Sequence, residues 1–255
     1  MKKILLTILP LFLSLMSSAK DTRCFELRTY TAAPGKLEDL HNRFRKHTLR
    51  LFEKHGMENL GYWVPMDKEG KPENKLIFLL AYPSREAREK SWAAFQSDPE
   101  WKEAAKKSEE NGRLVVNAKN PYLEATDYSP AIKSSKASEP RVFELRLYKT
   151  PPERLNNLHA RFRDHTVKLF SKHGMTHVGY WTPMDDKDGK SNTLIYILAH
   201  KNREAAAASF DAFRKDPEWI AARKASEEKA GGSLTLPEGG VTSIFMTPTD
   251  YSPTR

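Results

Sequence analysis

One stretch of this chain is written twice. Residues 25–67 align without a gap onto residues 143–185 at an offset of 118, and 26 of the 43 positions are identical. FELRTY at 25–30 returns as FELRLY at 143–148, HNRFRKHTLRLFEKHGM at 41–57 as HARFRDHTVKLFSKHGM at 159–175, and GYWVPMD at 61–67 as GYWTPMD at 179–185. A period of about 105–115 residues far exceeds that of solenoid arrays, so each copy is long enough to bury a core of its own. Two like units are expected, and any site built from the repeated residues is expected twice. Between them SPAIKSSKASEP (129–140), free of aromatics, reads as a linker joining a first unit at 20–128 to a second at 141–255.

The first 19 residues carry an address rather than a fold. MKK supplies a positive start, ILLTILPLFLSLM an apolar run too short for a comfortable membrane span, and Ser17-Ser18-Ala19 the small residues suited to cleavage. The expectation is an exported protein, periplasmic or extracellular, with no stable membrane insertion once the leader is removed. A single cysteine, Cys24, forbids an intrachain disulfide, so stability must come from packing. Lys and Arg number 42 against 33 Asp and Glu, but they alternate along helical stretches instead of forming a stripe. That pattern argues against a nucleic-acid partner.

Each copy reads as β-α-β-β-α-β. FELRTY alternates and is bounded by Pro34-Gly35, residues 36–55 carry apolar positions at helical spacing up to Gly56, and NLGYWVP (59–65) and KLIFLLAY (75–82) flank the polar connection MDKEGKPEN. A second helical region opens at Ser84 and restarts at Asp98-Pro99-Glu100-Trp101, an N-cap Asp with Pro at the first helical position, matched by DPEW at 216–219. YLEATDY (122–128) and SIFMTPTDY (243–251) close the two units as last strands. This is the α+β, ferredoxin-like split βαβ arrangement, with two helical regions on one face of an antiparallel sheet. The other face is bare in a single copy, so two copies are expected to stack face to face as one pseudo-dimeric α/β barrel within the chain.

The combination of FELRxY at a repeat start, a long helix ending in HGM, GYW before a hairpin, and DPEW in the second helical region resembles the NIPSNAP family of the dimeric α/β-barrel superfamily. The resemblance spans both copies. It implies fold and assembly more than chemistry: described members act in trafficking and mitochondrial quality control, and superfamily neighbours include cofactor-independent monooxygenases, haem-degrading enzymes and stress-responsive binding proteins.

Alternation puts Phe25, Leu27 and Thr29 on one face of the first strand and Glu26, Arg28 and Tyr30 on the other. If the first set packs under the helices, Glu26, Arg28 and Tyr30, with their repeats Glu144, Arg146 and Tyr148, form a polar floor to the barrel interior. There Arg binds an anionic oxygen, Glu orients it or takes a proton, and Tyr donates a hydrogen bond. The same residues also suit a plain ion pair that fixes strand packing. His47 and His165, at the edge of the apolar stripe, are the general-base candidates, and His55 and His173, just before the helix-ending Gly, suit helix capping. His41, His47 and His55 lie six and eight residues apart, the wrong spacing for a metal pair on one helical turn, so no metal site is expected; haem needs only one axial ligand, so spacing does not bear on it, but no cofactor is expected. Asp185-Asp186-Lys187-Asp188-Gly189 reads as a hairpin turn and not a calcium loop. In Tyr62-Trp63 and Tyr180-Trp181 one ring of each pair must face the barrel, and alternation alone does not say which.

Two function classes follow. One is a binding or assembly protein holding a small, mostly apolar or anionic ligand in the barrel. The other is a cofactor-independent monooxygenase-like or isomerase-like enzyme acting on an enolisable small molecule, with Arg28 and Arg146 stabilising the oxyanion and His47 and His165 as bases. Pairing of the two repeats is expected within the chain, and further homo-oligomerisation stays open.

Overall fold

Both repeats realise the expected order. The computed structural model describes residues 20–67 and 74–255; the apolar leader at 1–19 and the middle of MDKEGKPEN lie outside the described residues. The first repeat runs β1 (Cys24–Ala32), α1 (Leu37–Arg43), α2 (Leu49–Lys54), β2 (Glu58–Pro65), β3 (Lys75–Tyr82), α3 (Arg85–Ser97), α4 (Pro99–Ser108), β4 (Val115–Lys119) and β5 (Tyr122–Ala125). The second runs β6 (Val142–Lys149), α5 (Leu155–Arg161), α6 (Val167–Lys172), β7 (Thr176–Pro183), β8 (Thr193–His200), α7 (Arg203–Lys215), α8 (Pro217–Lys229) and β9 (Val241–Pro248). The acidic run after Pro183 is a hairpin turn, with one 3-10 turn at Asp186–Asp188 and Gly189 at φ 96°.

Eight strands close a single antiparallel barrel, in the order β1, β3, β2, β9, β6, β8, β7, β5 and back to β1, with β4 lying along the outer end of β1. Closure is crosswise. The last strand of the second repeat pairs with the first repeat's β2, Pro65 opposite Met246, and the last strand of the first repeat pairs with β7, Ala125 opposite Trp181. The second copy thus takes the place a partner chain holds in a two-fold dimer.

The segments after these strands tighten the exchange. TDYS at 126–129 and at 249–252 leave the sheet, and each grips the opposite repeat. Arg163 donates to Asp127 at 2.7 and 2.8 Å while Tyr128 and His159 pair at 2.8 Å; Arg45 donates to Asp250 at 2.7 and 2.9 Å while His41 and Tyr251 pair at 2.7 Å. Ser129 and Ser252 accept from the backbone N–H of Tyr180 and Tyr62. The linker is part of the barrel too: Ile132 is buried against Trp181 and its neighbours in the barrel core.

The stretch 36–55 is not one regular helix. A π-helical turn spans Phe44–Thr48, and another spans Phe162–Thr166. In each, the Thr hydroxyl donates to the carbonyl five residues back, Thr48 to Arg43 and Thr166 to Arg161, both at 3.2 Å. Arg43 and Arg161, just before these turns, are buried against α4 and α8.

The barrel interior is apolar and filled. Phe25, Leu27, Trp63, Phe143, Leu145 and Trp181 meet there with the aliphatic residues of β3 and β8. Trp63 and Trp181 are therefore the rings that face the barrel, and Tyr62 and Tyr180 join the helix-covered cores. Each indole lies over the glycine two residues earlier. A Cβ on Gly61 would stand 2.2 Å from the Trp63 ring and one on Gly179 2.5 Å from the Trp181 ring, which is why the motif reads G-Y-W.

Candidate functional site

The faces of β1 and β6 are the reverse of the polar-floor expectation. Phe25 and Leu27 point into the barrel, and Glu26, Arg28 and Tyr30 lie between the sheet and the helices, as do Glu144, Arg146 and Tyr148. The physical reason is partnership: the barrel interior offers only apolar neighbours, whereas the helix layer supplies donors for a buried carboxylate. A ligand held by these residues sits under the helices and not inside the barrel.

In the first repeat that layer is complete. The Glu26 carboxylate, fully buried, accepts from Arg28 at 2.5 Å, Arg88 at 2.7 Å, Tyr82 at 2.9 Å and Asn120 at 3.2 Å. The Trp92 N–H donates to the Tyr82 hydroxyl at 2.8 Å, and Arg28 lies 4.2 Å from the Trp92 ring centre, within cation–π range. Arg28 also donates to the Tyr30 hydroxyl at 3.0 Å.

The second repeat keeps the trio and changes its company. At the positions of Tyr82, Arg88, Trp92 and Asn120 stand His200, Ala206, Phe210 and Ser243. Glu144 accepts from Arg146, from Ser243 at 2.5 Å and from His200 at 3.2 Å. Burial alone pushes its carboxyl up, but His200, Arg146 and Ser243 outweigh this and hold it below the ordinary value. A cavity of about 240 Å³ lies beside Arg146 and Tyr148, with Phe210 in its wall where the first repeat has Trp92; Glu144 and Ala206 do not line it. Phe162, Phe170, Phe210, Phe213 and Trp219 wall it, and Arg161 and Glu227 reach it from α5 and α8.

The histidine candidates lie elsewhere. His47 is half-buried in a charged surface groove of about 600 Å³ between the π turn and α4, with Lys46, Glu103 and Lys107. His165 lines a groove of about 200 Å³ on the other side of Arg161, with Asp164 and Ser226, and does not line the cavity of Arg146 and Tyr148. His55 and His173 do not cap their own helices: each grips the Asp that caps the next helical region, Asp98 at 2.7 Å and Asp216 at 2.8 Å. Lys172 and His173 hold the Asp216 carboxyl well below its ordinary value. Cys24 is buried, and burial pushes its thiol up to about 11, so it stays a strand residue without nucleophilic character. Among the described residues no group of three or more His, Cys, Asp or Glu is placed to hold a metal ion, and no helix is long and apolar enough to cross a membrane.

The duplicated barrel and its repeated Glu-Arg-Tyr layer can now be set beside known proteins. The NIPSNAP family model matches residues 25–130 and again 143–253. The chain belongs to the NIPSNAP family. A NipSnap homolog of Dictyostelium discoideum is 24% identical over 204 residues, covering 79% of this chain and 80% of that protein. Among solved structures, a candidate monooxygenase from Lactobacillus acidophilus superposes with a TM-score of 0.54 at 14% identity, over 89% of this chain and 94% of that one. One from Fusobacterium nucleatum gives 0.56 at 8%, over 89% and 92%. At such identities the likeness is one of fold. As a NIPSNAP chain with both repeats in one polypeptide, this protein presents two versions of the same helix-covered layer, and they have diverged.

Sequence reasoning missed Arg43 and Arg161, the Arg88-to-Ala206 exchange, and the role of Trp101 and Trp219. Arg43 and Arg161 lie 5.2 and 5.1 Å from the Trp101 and Trp219 ring centres. Their signal was recurrence alone: R-F-R and D-P-E-W stand in both copies, but regular helical spacing turns Arg43 away from the core.

Proposed function

We propose that this chain is a small-molecule binding protein whose ligand site is the helix-covered cavity of the second repeat, the first repeat serving as the built-in partner that closes the barrel. The observation that carries this reading is the aromatic-walled cavity beside Arg146 and Tyr148, where Phe210 stands in place of Trp92. A cavity with aromatic walls and a few convergent polar groups is the usual form of such a site. The composition of the leader at 1–19 supports reading the chain as an exported protein with a mature form starting near Lys20.

The enzyme reading takes its support from the fold shared with the candidate monooxygenases. Against it, Glu227 is the sole carboxylate and no histidine is present among the residues lining the cavity, so a general base is poorly supplied. Native mass spectrometry on the chain purified from its own exporting host tests the binding reading. A reproducible small-molecule mass on the wild type, lost from the Phe210→Trp chain, is expected; the same mass on both, or on neither, overturns it. The N-terminal residue of the same sample tests export.

A further inference from the structure

The binding reading leaves the ligand's charge open, and the cavity's cations speak to it. Arg161 ends α5, is only 6% exposed, and has both Nε and Nη1 buried without a hydrogen-bond partner among the described residues. Its nearest carboxylate oxygen, Oε1 of Glu227, is 3.6 Å away and already accepts from Arg223 at 3.1 Å. In the first repeat the Arg43 Nε is likewise unpartnered among the described residues, but its Nη1 donates to Glu109 at 3.0 Å and to Ser108 at 3.3 Å, where Arg161 Nη1 has no such bond. Burial presses the Arg161 guanidinium below its ordinary value, with Glu227 offsetting only part of that. Arg146 reaches the same cavity from the sheet side; its Nε is buried without a partner, as is that of Arg28, so the difference between the repeats rests on Arg161 Nη1. Arg214 and Arg223 complete the lining charge, four arginines against the one carboxylate of Glu227.

An under-paired buried cation is costly, and a carboxylate is the group whose two oxygens match a guanidinium fork. Five aromatic rings on the remaining walls favour a flat apolar body, and the volume limits it to a small one. Resting on the binding reading, we propose that the second repeat's cavity takes a compact aromatic carboxylic acid, its carboxylate held by Arg161 with Arg146 alongside and its ring packed among Phe210, Phe213 and Trp219. The first repeat, with Arg43 paired to Glu109 and Arg88 paired to Glu26, has no comparable need for an anion.

The test is calorimetric titration of the whole mature chain with matched pairs: benzoate, phenylacetate and indole-3-acetate, each against its neutral carboxamide. Acids binding at least tenfold tighter than their amides are expected. Arg161→Met is expected to abolish that preference, Arg161→Lys to retain part of it, and Arg43→Met, the equivalent change in the first repeat, to leave it intact; thermal melts confirm that each variant folds, and the Lys variant serves if the Met variant does not. Acids and amides binding alike, or Arg43→Met acting as strongly as Arg161→Met, overturn the charge assignment while leaving the cavity reading standing. No binding of any probe overturns both.

Discussion

Two carboxylates at equivalent positions, Glu26 and Glu144, keep different company. Glu26 closes a network of two guanidiniums, a tyrosine and an asparagine, under a tryptophan lid. Glu144 has one guanidinium, a histidine and a serine, and the cavity lies beyond its Arg146 partner. Duplication explains how the difference arises: once both copies share a chain, one half can harden into scaffold while the other keeps or gains a cavity. The shared ion pair belongs to the fold, and the divergence around it is where function is to be sought.

The strongest way to break this comparison is to remove the two carboxylates in turn. Glu26→Leu strands Arg28 and Arg88 in a dry layer and is expected to cost about 3–5 kcal/mol in urea unfolding. Glu144→Leu strands one guanidinium, that of Arg146, and is expected to cost roughly half as much. Equal losses end the claim that the first layer is the more tightly built.

A second comparison concerns what has not diverged. Gly61→Ala and Gly179→Ala each force a Cβ into the indole two residues on, so each is expected to cost roughly 1–3 kcal/mol, and about equally. A large difference between the two midpoints means that the barrel interior is less symmetric than the registers of β2 and β7 indicate.

The smallest effect separates the two clasps by pH. Burial holds both His41 and His159 below the ordinary 6.5, and burial with Arg163 takes His159 down to about 4. Between those values the unfolded chain binds more protons than the folded one, so stability is present above pH 6.5 and falls as pH drops toward 4. Discounted for partial exposure, the loss at the His159 clasp is roughly 1–2 kcal/mol. His159→Asn is expected to flatten the melting-temperature profile across this window more than His41→Asn does; identical profiles remove the distinction.

Much of this fold was legible in the residues because duplication checks itself. FELRxY, HGM, GYW and DPEW each recur, and alternation together with an unpaired sheet face leads to the barrel. The orientation of Glu26, Arg28 and Tyr30 was not legible, since period-two alternation sorts two faces without saying which is covered by helices. Donors that settle the matter, Tyr82, Arg88 and Asn120, come from three distant segments. The π turns also escaped a regular 100° wheel, and the burial of Arg43 and Arg161 depends on the distant helices α4 and α8 that pack against them. The cavity was not legible either, since nothing in the residues marks Phe210, in place of Trp92, as part of its wall.

The most direct test is a crystal of the mature chain soaked with 4-iodophenylacetate, with the iodine located from its anomalous signal. The account predicts iodine under α7 beside Phe210 and Trp219 in the second repeat, at a site emptied by Phe210→Trp. Iodine within the barrel beside Trp63 or Trp181, iodine at Arg28 and Trp92 in the first repeat, or no ordered iodine at all contradicts it.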